Sequence, residues 1–196
     1  MTAIWGLLLL GLLAFQINMI FFPKSGEEQP GLAVGLPVPD FTLKSIDGQS
    51  FQLNTVAKSK DVLLVFFSST SQACRIEIGE INDYFKAQTN PAFSVLLISD
   101  ESADKLADFQ KESNLGIPIL RDENGAVSGK YKVSEIPANF LVNKERGLTY
   151  YQMGSEGFNV YKVQALITTK GKKLELEEKP EAPKAPEQAP EPGKNQ

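Results

Sequence analysis

Apolar positions along this chain fall into two kinds of run. Val62 to Phe67 is an unbroken apolar stretch of the sort that suits a strand covered on both faces, and Phe93 to Ser99 (FSVLLIS) repeats it. Between them Cys74, Ile78, Ile81 and Phe85 recur at helical spacing, which predicts a helix that buries that stripe and leaves Arg75, Glu77, Asn82 and Lys86 in water. Ser69, Thr70 and Ser71 stand just before it, with side-chain oxygens suited to the free N–H groups of a first turn. A further helix is predicted over Ala103 to Ser113 with Leu106 and Phe109 inward, so that strand, helix, strand implies a parallel pair.

Shorter signals surround this centre. Phe41-Thr42-Leu43 and Ser50-Phe51-Gln52-Leu53 flank Asp47-Gly48, which predicts a hairpin. Asn139 to Val142 and Thr149 to Met153 flank Glu145-Arg146-Gly147 and predict a second one. Ile117 to Leu120 is a short apolar piece, a short helix is expected over Ala126 to Lys132, and a last helix over Phe158 to Ile167. Helices on both sides of a mixed sheet would complete the domain, placed at 35–170.

The two ends read differently. Residues 3–22 (AIWGLLLLGLLAFQINMIFF) carry no charge and are long enough to cross a bilayer as a helix, so 1–23 is read as a transmembrane signal anchor. A cleaved signal peptide fits less well, because no Lys or Arg precedes the run and no Ala-x-Ala-like site follows it. Lys24 is balanced by Glu27 and Glu28, so charge does not orient the segment. A Gly- and Pro-containing linker over 24–34 leads into the domain. From 171 to 196 Lys and Glu alternate with Pro180, Pro183, Pro186, Pro190 and Pro192, which predicts a disordered tail.

Composition narrows the chemistry. The formal net charge is −4 and the basic residues form no stripe, which argues against nucleic acid as a partner. The chain has no histidine, so imidazole metal ligands and a Ser-His-Asp triad are excluded, and neither a metal nor another cofactor is implied. Cys74 is its only cysteine, so any disulfide chemistry needs a second molecule.

The segment LLVFFSSTSQACR resembles the strand, loop and helix of membrane-tethered thioredoxin-like proteins of the TlpA/ResA type, and the SSTSQAC spacing is most similar to the methylamine-utilisation accessory MauD. GLPVPDFTLKSIDGQSFQL is similar to the entry hairpin these proteins share with peroxiredoxins. The likeness spans residues 35–167. It implies an α/β thioredoxin-like fold, with a central mixed sheet, helices on both faces and an N-terminal hairpin. It also implies a domain outside the cytoplasm, tethered by the preceding transmembrane helix, that assists maturation of client proteins.

Those relatives carry Cys-x-x-Cys, whereas this chain has Ser71-Gln72-Ala73-Cys74. The attacking position is therefore an alcohol with no histidine to activate it, which excludes dithiol turnover by a lone molecule. Two readings of Cys74 stay open: a reactive thiol favoured by the helix start and Arg75, or a small buried hydrophobe. Resemblance makes Pro137, after Ile136, the cis-proline of a client-binding loop, with Thr70, Gln72 and Ala73 on the same surface. Client holding would survive the loss of the first cysteine. A peroxidase reading through Cys74 matches less well, since Phe67 stands where the peroxiredoxin loop has proline. Val65 occupies the strand position of the thioredoxin buried acid, so no counterpart of that acid is expected.

Overall fold

The computed structural model describes residues 32–177. The predicted anchor and most of the linker lie outside them, as does the tail beyond 177. Among the described residues no helix is long and apolar enough to cross a membrane.

The chain enters along the far end of the sheet, where Gly35 N–H donates to Leu148 O at 2.7 Å and Pro37 bridges Gly147. The entry hairpin follows as β1 (Thr42–Ser45) and β2 (Ser50–Gln52). Gly48 takes a φ of 88° at its turn, a left-handed conformation that costs glycine nothing. Leu53 was expected to end the second strand. It opens a short helix instead, α1 (Leu53–Val56), and is fully buried. Asp40 holds that turn by accepting from the Asn54 N–H at 3.0 Å.

The centre is β3 (Asp61–Phe66), α2 (Gln72–Lys86), β4 (Phe93–Ser99), α3 (Ala103–Glu112), β5 (Ile119–Arg121) and α4 (Ala126–Lys130). The second hairpin, β6 (Ala138–Val142) and β7 (Leu148–Met153), leads to α5 (Val160–Glu177). These strands form one mixed sheet in the order β2-β1-β5-β4-β3-β6-β7. β3 runs parallel to β4 and antiparallel to β6.

The continuous apolar runs are explained by burial on both sides. Leu63, Val65 and Phe67 join Cys74, Ile78, Ile81 and Val163 in one core, while Val62, Leu64 and Phe66 join Leu53, Tyr131 and Phe140 in the other. A strand's period of two sends alternate side chains to opposite faces, so a central strand must be apolar throughout. α5 extends to Glu177, ten residues past the expected end. No proline interrupts residues 168–177, whose Lys, Leu and Glu favour helix, and the first proline of the tail is Pro180.

Candidate functional site

The site grows from the C-terminal end of β3. Phe67 N–H still donates to Ile98 O at 3.0 Å, after which the chain leaves the sheet. Four residues turn it into α2, with Ser71 N–H donating to Ser68 O at 3.2 Å. The neighbouring connection, after β4, fixes this loop. Glu101 accepts from the Ser69 N–H at 2.7 Å and from Ser68 Oγ at 3.2 Å, and Lys105 Nζ donates to it at 2.6 Å. Burial alone would raise the Glu101 pKa. The Lys105 ammonium and the Ser69 donors outweigh it and hold the carboxyl below its ordinary value.

Of the three hydroxyl residues expected to serve the first turn, Ser71 is the N-cap of α2, and its Oγ accepts from the Cys74 N–H at 3.4 Å. The Ser71 hydroxyl therefore serves the helix. Thr70 and Gln72 are exposed and Ala73 half-buried, so Thr70, Ser71, Gln72 and Ala73 form the outer surface of the helix start. Cys74 lies beneath them with 0% exposure. Arg75 does not serve the thiol: its guanidinium donates to Ser69 O at 3.0 Å and to Glu112 at 3.1 Å, and it lies 5.0 Å from the Phe109 ring centre. Those contacts clamp loop, α2 and α3 together.

Antiparallel register brings the proline loop to this place. Phe66 pairs with Ala138 and Val65 with Asn139, so Pro137 comes level with the point where the chain leaves β3. The Ile136–Pro137 bond is cis, Pro137 is buried, and Ile136 is 38% exposed. A cavity of about 220 Å³ between the two loops is lined by Phe67, Ser68, Ser99, Asp100, Ser128 and Ile136 among others. The end of β7 supports the proline loop from behind, through Ser134 Oγ donating to Met153 Sδ at 3.2 Å. A Cβ at Gly154 would come within 2.8 Å of Glu135 Oε1.

The expectation for Glu77 and Asn82 is overturned. Both are 4% exposed, because the inward face of α2 is wider than its apolar stripe. Asn82 ties α2 to the loop after α3, accepting from Gly116 N–H and donating to Asn114 O, both at 3.4 Å. Glu77, one helical turn after Cys74, accepts from Asn139 Nδ2 at 2.9 Å inside the protein. The site therefore does hold a buried acid, on the helix rather than on β3. Burial pushes Glu77 up to about 7, against the Asn139 hydrogen bond, with a further push from Glu80. Tyr150 is raised by its own burial and by Glu77. Asn139, two residues after Pro137, is 0% exposed and was expected only as part of a strand. The pattern carries little trace of this pair: Glu77 falls outside the apolar stripe of its helix, and Asn139 is the one polar residue of its predicted strand.

The described residues contain no cluster of three or more His, Cys, Asp or Glu able to hold a metal ion. What the arrangement offers is a buried thiol and a buried acid under a surface made of Ser71, its neighbours and the Ile136–Pro137 loop.

Residues 34–151 match the model of the AhpC/TSA family. The chain is 24% identical over 140 residues to the thiol-disulfide oxidoreductase ResA of a Bacillus cereus strain, covering 71% of this chain and 78% of that protein. It is 26% identical over 157 residues to the sporulation thiol-disulfide oxidoreductase A of Bacillus subtilis, covering 76% and 86%. Among solved structures, the peroxidoxin BcpB of Mycobacterium tuberculosis superposes with a TM-score of 0.61 at 21% identity, covering 71% of this chain and 97% of that one. The likeness to that structure shows the fold, which is thioredoxin-like.

Proposed function

Since the chain belongs to the AhpC/TSA family, we propose that it is a membrane-tethered, extracytoplasmic redoxin akin to the ResA-type thiol-disulfide oxidoreductases, working with a degenerate Ser-x-x-Cys site to assist the maturation of client proteins. One observation carries the reading: Ser71 fills the attacking position and caps α2, while Cys74 and Glu77 remain together in the protein below it. The outer of the two family positions carries an alcohol, and the inner one keeps its thiol. An extended client segment is held over Ser71 and Pro137 by strand addition, as the cis-proline loop allows. The uncharged run at 3–22 supports the tether.

In this reading Cys74 acts with an external small thiol. The Cys74 thiolate attacks a client disulfide, forming a mixed disulfide and releasing the other client sulfur as a thiolate, which takes up a proton. The external thiolate then attacks the client sulfur of that mixed disulfide, leaves joined to the client, and returns Cys74 as thiolate. Because Cys74 is fully covered, the first turn of α2 must open for either step. Reduction of insulin disulfides with dithiothreitol in excess tests it. Activity above the dithiothreitol background that vanishes in Cys74→Ser supports the reading, and equal rates refute it. Ser71→Cys should raise the rate at least tenfold by restoring a half-exposed attacking thiol.

Cys74's complete burial favours a second reading, a client holder without redox chemistry. Rapid labelling of the native protein by a bulky maleimide would remove that alternative. Labelling only after denaturation, with client binding unchanged in Cys74→Ser and weakened in Ile136→Asp, would establish it.

A further inference from the structure

Two buried polar atoms at the site lack a partner, and they belong to the same two side chains. Glu77 Oε2 and Asn139 Oδ1 are both shut away from water without a hydrogen bond, while their other atoms, Glu77 Oε1 and Asn139 Nδ2, are joined at 2.9 Å. A buried polar atom left unpaired bears the full penalty of its lost hydration. One proton removes both costs. A neutral carboxyl has an O–H to donate, and a carboxamide oxygen accepts it. We propose that Asn139 holds Glu77 as a neutral acid in a two-point acid–amide pair, in which Asn139 Nδ2 donates to Glu77 Oε1 and the Glu77 hydroxyl donates to Asn139 Oδ1. Asn139 is thereby the positioning residue of a proton store one helical turn from Cys74.

Ionisation of Glu77 removes the proton that would join these atoms and leaves two buried acceptors without a donor. The neighbours do little to offset this. Glu80 on α2 adds negative charge, Tyr150 on β7 is a neutral phenol, and the Lys162 ammonium of α5 lies 5.4 Å from the Tyr150 ring centre. Cys74 shares the helix face. As exchange proceeds, the pair delivers a proton to the sulfur or takes one from it. That last step rests on the redox reading above; the pair itself does not.

The test is infrared spectroscopy of the detergent-solubilised full chain with carboxyl-labelled glutamate, across pH 5 to 9. The native chain should show a protonated-carboxyl band at pH 5 that is absent in Glu77→Gln. Asn139→Leu removes both contacts and should move that band to higher wavenumber. Asn139→Asp, which folds with a shared proton in place of the amide, should raise the pH at which the band disappears by at least one unit, because adjoining buried carboxylates do not ionise together. A merely structural Asn139 would change stability and leave band position and midpoint alone, and that result overturns the proposal. So does the absence of the band at pH 5. Alkylation of Cys74 by iodoacetamide over the same pH range separates the two ideas. If the bands behave as expected while alkylation ignores both Glu77→Gln and Asn139→Asp, the pair stands and its proton delivery to Cys74 falls, whereas equal insulin-reduction rates in native and Cys74→Ser overturn the redox reading itself.

Discussion

Replacing Glu77 by glutamine should make the protein's stability less dependent on pH, and the sign follows from the structure. Burial raises the Glu77 carboxyl from 4.5 to about 7. The native state therefore holds a proton that the unfolded chain releases, and stability falls as pH rises between those values. The contribution is present in full below about 4.5, is lost progressively up to about 7, and is constant above. Each pH unit in that window is worth about 1.4 kcal/mol, so the whole is on the order of 3 kcal/mol. The substituted carboxamide would keep a donor and an acceptor in the same place and carry no titration. Urea unfolding of the detergent-solubilised full chain, followed by circular dichroism at half-unit steps from about pH 4.5 to 8, measures the difference between native and Glu77→Gln. The two should be nearly equal at the acid end, and the variant should be more stable by roughly 2–3 kcal/mol above about pH 7, with m-values unchanged. Because every other group titrates in both proteins, the difference isolates Glu77. A difference that is flat with pH would refute the burial argument.

Three further outcomes follow from the support of the site. Ser71→Ala removes the N-cap acceptor of α2 and should cost about 1 kcal/mol in chemical denaturation, with faster amide exchange confined to the first turn. Gly154→Ala places a Cβ against Glu135 at a position with φ 76°, and should destabilise by about 1–2 kcal/mol while shifting the NMR resonances of 134–138. Glu101→Gln weakens the charge-assisted hold on Ser69 and loses the Lys105 ion pair, costing about 1–2 kcal/mol. Since that carboxyl is held below its ordinary value, its contribution is present above the unfolded-state value and fades as pH falls through the lowered one. A native-minus-variant difference that grows on acidification would refute the assignment.

Much of this molecule was written in short-range pattern. The unbroken run Val62 to Phe67 specified a central strand because alternate residues must feed two cores. The run Ser69 to Ser71 marked the start of α2, since hydroxyls just before an apolar stripe satisfy orphan N–H groups, and the structure gives that role to Ser71. A single cysteine established that any disulfide must involve a second molecule. Those signals are carried by a residue and its near neighbours along the chain.

Tertiary structure decided the rest. Glu77 and Asn82 look like solvent-facing residues in a helical pattern, and only the packing of α2 on the sheet puts them inside. Asn139 meets Glu77 because β6 pairs antiparallel with β3, a contact between residues 62 apart. Arg75 is turned from the thiol by Glu112, 37 residues on, and Leu53 leaves the hairpin for a helix because a core pocket receives it. A charge carries no mark in the sequence of which face it will occupy. Its burial, and hence its protonation, is fixed only when distant segments close around it.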